Sequence, residues 1–341
     1  MTVAPGGSPI TEDAGAVGLD VAAIDGAVAV EGRSPWQIVR MRLRRDKVTM
    51  VALVITVLLV VMAILAPILA ALGVLNPYTG HIELVQGLGS IPDGAFGGIS
   101  GRHPLGVEPG TGRDLLSRVM LGITTSVLVA TLATIFAVIV GTALGLIAGF
   151  SRGRVDWLIS RFLDLILSFP QTLMLLTLAP VLTDRVAAVL HVPPPDNRAK
   201  ITLIAVVLGV FGFPFFARIV RGQVLSLRER EFVEAARSLG ASSRRIYVKE
   251  LLPHLWAPLL VYTTLTLPQN IAAEAALGFL GVGIQAPTPS LGALLNDSVS
   301  YALPDPAYFI IPGLTVFLLV LAFNLLGDGL RDALDPKSGR S

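Results

Sequence analysis

The 341-residue chain contains no cysteine and only four histidines. The missing cysteines exclude disulfides, thiolate metal sites and a cysteine nucleophile, and four scattered histidines argue against a histidine metal cluster. Charge is scarce as well. Only 15% of residues are Asp, Glu, Lys or Arg, against 53% hydrophobic, and mean hydropathy is +0.73. A soluble fold of this length is not that apolar, so the expectation is an all-α polytopic membrane protein. The net charge of +2 carries no nucleic-acid signature. Catalytic patterns are also absent. Without G-x-x-x-x-G-K-[ST] there is no P-loop, so ATP hydrolysis does not belong to this chain. Without H-E-x-x-H or G-x-S-x-G there is neither a zinc-protease helix nor a nucleophile elbow. The reading is a non-enzymatic chain with no cofactor and no metal of its own.

What the chain does have is long charge-poor apolar stretches, and a helix needs about 20 residues to cross the hydrocarbon. Six spans are expected, at about 48–74, 119–150, 157–182, 201–220, 256–283 and 306–326. Lysine and arginine are distributed unevenly about them. Twenty fall on the side that holds both termini and the 218–249 segment, against six on the other. The positive-inside rule therefore predicts cytoplasmic termini. Residues 1–34 read as a disordered cytoplasmic tail, because they lack the basic and apolar regions of a signal peptide. Pro35 to Lys47 forms a basic juxtamembrane helix candidate, a topology determinant with anionic lipid or partner contact as the alternative. The 75–118 loop, rich in glycine and proline, is expected to fold over the outer mouth.

One charged stretch interrupts the apolar runs. In EFVEAARSLGASSRRIYVKELLP, residues 231–253, Phe232, Ala235, Ala236 and Leu239 recur at three- and four-residue steps. On a helix from about Arg228 they form one apolar face, opposite Arg230, Glu231, Glu234 and Arg237. Gly240 suits a left-handed cap, Ser242 or Ser243 can open a second short helix toward Leu252, and Pro253 is expected to end it. Such a helix either docks in a groove of another protein or rests on lipid headgroups.

Glu234, Ala235 and Ala236, then Gly240, then Leu252 and Pro253, resemble the EAA loop of permease subunits of bacterial ABC importers. Three more stretches resemble signatures of the dipeptide, oligopeptide and nickel group: HPLGVEPGTGRDLLSRVMLG (103–122), ALGFLGVGIQAPTPSLGALL (276–295) and NLLGDGLRDALDPK (324–337). The layout looks most like the C-type membrane subunit. Departures occur: Val107 and Glu108 stand where Thr-Asp is usual, and Gly278 and Leu291 replace a usual serine and tryptophan. The resemblance implies a type I ABC importer permease domain over 35–337, with a cytoplasmic coupling loop at 223–253 and a short tail at 338–341. It also implies a bacterial cytoplasmic membrane location. The implied partners are a second, homologous permease, two ATP-binding cassette subunits that hold ATP and Mg, and an extracytoplasmic substrate-binding protein. Short peptides are the implied cargo, with nickel complexes, glutathione or oligosaccharides as alternatives. A separate alternative, an ion-coupled secondary transporter, would need inverted repeats and paired broken helices, which the sequence does not display.

Within the fifth expected span, Asn270 and Glu274 lie four residues apart and share a helical face. Intramembrane polar groups are expensive and face a cavity, a partner or the bundle interior. They are candidates for the translocation pathway, or alternatively a buried pair that fixes helix packing.

Overall fold

A computed structural model describes residues 35–86, 90–151, 153–193 and 196–334. The tails expected at 1–34 and 338–341 lie outside the described residues. A basic helix α1 (Pro35–Arg45) leads into α2 (Lys47–Ala71). Asp46 separates them and caps α2, its carboxylate accepting from the Val48 amide. A long connection to the next helix follows, pinned by a two-stranded antiparallel ladder, β1 (Val85–Gln86) and β2 (Ile91–Pro92). Then come α3 (Leu115–Phe150), α4 (Arg154–Leu167), α5 (Gln171–Leu190) and α6 (Asn197–Leu227). Two short helices, α7 (Glu231–Ser238) and α8 (Ser243–Arg245), precede a π turn (Ile246–Leu251). The chain ends with α9 (Leu252–Phe279), α10 (Leu291–Ser298) and α11 (Pro306–Leu334).

Five of these, α2, α3, α5, α6 and α11, are long and apolar enough to cross a membrane. α9 has the length but carries Thr263, Thr264, Thr266, Asn270 and Glu274, and it falls short of that apolarity. The expected span boundaries need revising. The stretch 157–182 is not one helix: α4 stops at Ser168, and Pro170 opens α5, because proline disfavours helical backbone in the residue before it. α4 instead lies against α6. Asp156 accepts two bonds from Arg221, at 2.6 and 2.8 Å, and Asp164 pairs with Arg218 at 2.5 Å. Arg161, three residues before Asp164 on α4, stands farther off at 3.6 Å. The span placed at 201–220 extends over 197–227, and the last runs on to 334 instead of 326. The second starts at Leu115, the fifth at Leu252, and the first covers 47–71.

The backbone of the fold is the α3–α6 pair. Gly141, Gly145 and Gly149 recur every four residues on one face of α3, where a side chain could not fit. A Cβ on Gly141 would meet Phe216 at 2.5 Å, one on Gly145 would meet Val220 at 2.7 Å, and one on Gly149 would meet Val224 at 2.7 Å. Without a hydrophobic drive between helices in lipid, such close approach through small residues supplies the association energy. Asn270 joins α9 to the same helix: its side-chain amide donates to the Thr134 hydroxyl at 2.9 Å. Near the end of α9, Gly278 and Gly292 of α10 meet backbone to backbone, a Cβ on the former falling 2.7 Å from the latter's Cα.

Candidate functional site

α6 does not simply run out into solvent. Its last turns, through Val220 and Val224, join Leu146 of α3 and Val233, Ile246, Leu251 and Leu255 in one apolar knot, all seven side chains buried. Val233, fully buried, therefore anchors α7 to the ends of α3 and α6. Polar contacts lock the same corner: Arg228 donates to the Gly149 carbonyl at 2.9 Å, the Arg237 guanidinium sits 4.6 Å from the Phe150 ring centre, and Phe150 meets Tyr247 edge-on. α7 is thereby packed against the ends of α3 and α6 and the start of α9.

α7 starts at Glu231, not at about Arg228, because α6 holds its helix to Leu227 and Arg230 is extended. Its inward face is also turned relative to the expected stripe. Phe232 and Ala236 are half-buried on either side of Val233, while Glu234, Ala235 and Leu239 point outward. At 100° per residue this is a rotation of about 60°. Leu239 is 88% exposed, a large apolar side chain held in the open at the end of a charged helix. Gly240 follows with φ +77°, the left-handed cap that glycine adopts without strain. Its amide donates to the Arg237 carbonyl and that of Ala241 to the Ala236 carbonyl, the crossed pair of a helix-ending cap.

Ser242 opens α8, accepting from the Arg245 amide at 3.4 Å. Pro253 does not end this element. It lies in the first turn of α9, where the missing N–H is not needed, and Leu252 beside it is 36% exposed. Phe232 stacks on His254 of that turn at 4.7 Å between ring centres. Beside them opens a cleft of about 720 Å³ lined by Leu227, Glu229, Arg230, Glu231, Phe232 and His254. Exposed alanine and leucine next to a charged cleft form a surface that another protein can cover.

Asn270 and Glu274 lie elsewhere. They share the expected face, which in this structure is turned to α3: Asn270 is 7% exposed and bonded to Thr134, and Glu274 is wholly buried against Ser126.

The connection between α2 and α3 gives the 103–122 signature a physical content. Asp114 caps α3, accepting from the Ser117 amide at 2.8 Å, while its other oxygen meets His103 Nδ1 at 2.9 Å. Arg118, 1% exposed, pairs with Glu108 and reaches the carbonyls of Pro77 and Pro287 at 3.5 and 3.3 Å. Thr111 donates to the second Glu108 oxygen at 3.0 Å. Burial pushes the Glu108 carboxyl above its usual range against the pull of Arg118.

The roles of Val233, Arg228, Arg237 and the α3 glycines were not foreseen from the sequence, although the four-residue glycine spacing in GTALGLIAG was there to be read.

A glycine-seamed helical core and apolar helices of membrane length define a membrane-embedded helical protein. Residues 141–340 match the model of the binding-protein-dependent transport system inner membrane component, and residues 34–82 match the N-terminal transmembrane domain of oligopeptide transport permease C. The chain belongs to the former family. It is 36% identical over 304 residues to the dipeptide transport system permease protein DppC of Alkalihalophilus pseudofirmus, covering 89% of this chain and 90% of the relative. To the glutathione transport system permease protein GsiD of Escherichia coli O6:K15:H31 it is 37% identical over 305 residues, covering 89% and 91%. Among solved structures, an inward-facing MetNI methionine ABC transporter chain superposes with TM-score 0.50 at 20% identity, covering 64% of this chain and 96% of that one. The fold is that of a type I ABC importer permease, of the C-type peptide group.

Proposed function

We propose that this chain is the translocating half of an ATP-driven importer of short peptides in the bacterial cytoplasmic membrane. It pairs with a second, homologous permease, receives cargo from an extracytoplasmic binding protein, and is driven by two ATP-hydrolysing subunits that bind ATP and Mg. α9 serves as the sixth span, and both termini face the cytoplasm, in line with the twenty-to-six bias in lysine and arginine.

The observation that carries the reading is the pairing of a fully buried Val233 with an exposed Ala235 and an 88% exposed Leu239 on one short helix. Glu234, Ala235, Leu239 and Gly240 contact the ATP-hydrolysing subunit, and Phe232, Ala236, Leu252 and Pro253 hold the arm's shape. Closure of the nucleotide subunits pushes α7, and the apolar knot passes the push to α3 and α6, rocking the permease between inward- and outward-facing states. Asn270, bonded to Thr134, fixes α9 to α3 so that the two helices move together. Peptide cargo is favoured by the likeness to a dipeptide permease. Glutathione, itself a short peptide, is the second reading, favoured by the likeness to the GsiD permeases.

The natural absence of cysteine makes the test direct. Leu239→Cys should cross-link to the ATP-hydrolysing partner when the complex is co-expressed, whereas Val233→Cys, buried in the knot, should not. Equal cross-linking at both positions, or none at Leu239, would refute the docking assignment.

A further inference from the structure

On the exposed side of the helix pair, α2 and α11 leave an open groove. Its volume is about 300 Å³, its floor is Ala52 and Ala322, both almost fully buried, and its walls include Val51, Leu318 and Leu321. The walls stay exposed, Val51 at 60%. An alanine on each helix leaves a trough where larger residues would have closed the seam. Lys47 stands at one end. The helices run antiparallel there: Gly329 of α11 packs against Thr49 of α2, and farther along α2 Leu59 and Ala63 share a cluster with Leu319 and Ala322. Immediately beyond Lys47 the basic helix α1 begins, with Arg40, Arg44 and Arg45 exposed.

Only one acid, Asp46, lies in the 40–50 run, and its carboxylate is turned back onto the Val48 amide and the Thr49 hydroxyl. Arg42 is directed to the Ala333 carbonyl at the end of α11. Asp328 and Asp332, both exposed on α11, are the acids of the facing helix at this end, about one and two turns beyond Leu325 of the groove. The balance at the mouth is therefore positive, above an apolar slot.

We infer that this groove is a binding site for an anionic glycerophospholipid, one acyl chain lying over Ala52 and Ala322 and the phosphate held by Lys47 with Arg44 and Arg45. Charge chooses the occupant. A transmembrane helix of a partner would fill the slot equally well but would give no use to three exposed bases at its rim, whereas clustered juxtamembrane bases attract anionic headgroups. The lipid would brace α2 against α11.

The test uses the full chain in detergent micelles, titrated with phosphatidylglycerol or phosphatidylcholine and read by native mass spectrometry. The native chain should prefer phosphatidylglycerol by more than tenfold. Removing bases should cost about fivefold each, so Arg44→Gln/Arg45→Gln/Lys47→Gln should erase the preference. Val51→Trp, on an exposed wall where folding is not at stake, should lower retention of both lipids by filling the slot. Inorganic phosphate at millimolar concentration should not compete, because the acyl chain carries the binding. Equal retention of the two lipids by the native chain, or an unchanged preference in the triple variant, would overturn the inference. So would a strong cross-link from Val51→Cys to a helix of the second permease, which would show a protein occupant. None of these readings requires transport, so they stand or fall apart from the importer assignment.

Discussion

Replacing Arg118 by Met should loosen the connection between α2 and α3 more than any other single change there. The guanidinium is 1% exposed, pairs with a Glu108 that is 3% exposed, and ties the Pro77 and Pro287 carbonyls to the start of α3. Removing one partner of a buried ion pair leaves an uncompensated charge, at a cost of about 3–5 kcal/mol. Glu108→Gln, which leaves Arg118 its carbonyl acceptors, should cost less, and the Arg118→Met/Glu108→Gln pair should recover much of the loss, since neither charge then remains. The pH dependence follows from the same geometry. Burial raises the Glu108 carboxyl above its unfolded value, so the folded segment binds the proton more readily than the unfolded one. Stability therefore falls as pH rises through that range. Arg118 opposes the shift, so its loss should raise the carboxyl further and steepen the dependence. Hydrogen exchange of residues 75–114 in a reconstituted sample reads this directly. The native segment should be well protected at pH 7.5, and Arg118→Met should be poorly protected there but partly rescued at pH 5. Protection in Arg118→Met equal to native at both pH values would refute the reasoning.

Four other outcomes are expected. Gly145→Leu should separate α3 from α6, because even a Cβ there meets Val220 at 2.7 Å. Overpacking costs about 1–3 kcal/mol, visible as a lowered thermal unfolding midpoint. Gly222→Ala, with nothing within 4 Å of the added carbon, should be neutral or slightly stabilising in the same assay. Asn270→Leu should lose the bond to Thr134, costing about 0.6–1.7 kcal/mol as membrane hydrogen bonds do. If cargo selectivity changes in that variant while thermal stability does not, Asn270 contacts cargo instead of bracing α9. Leu239→Asp should abolish retention of the ATP-hydrolysing subunit on affinity purification while leaving membrane insertion and thermal stability unchanged, since the side chain is 88% exposed.

Apolar runs made most of the membrane-length helices legible, because lipid imposes a length and a polarity on any helix that spans it. Pro170 misled. In a continuous apolar stretch it reads as a kink, yet Asp156 and Asp164 find Arg221 and Arg218 on α6, which draws α4 away from α5 and turns the kink into a break. α6 was read short for a related reason: Arg218 and Arg221 look like the end of a span until their partners on α4 are known. In the docking arm, spacing gave an apolar stripe through Phe232, Ala235, Ala236 and Leu239, but it could not show that Val233 would be the residue drawn inward. That depended on Val220, Val224 and Ile246, which arrive from distant parts of the chain. Gly240, by contrast, was readable locally, because a left-handed cap needs glycine whatever surrounds it. Pro253 was ambiguous in the same local terms, for proline marks both the end of one helix and the first turn of the next.

ATP-driven peptide uptake into vesicles bearing the full importer, comparing the native chain with Glu234→Arg and Gly240→Pro, tests the central claim most directly. Glu234 is exposed, so its reversal leaves the fold alone, while Pro cannot adopt the φ of +77° at Gly240 and unseats the end of α7. Loss of uptake in both variants, with the chain still inserted and paired with its homologous permease, is the predicted result. Uptake that survives both changes, or proceeds without ATP, would contradict it.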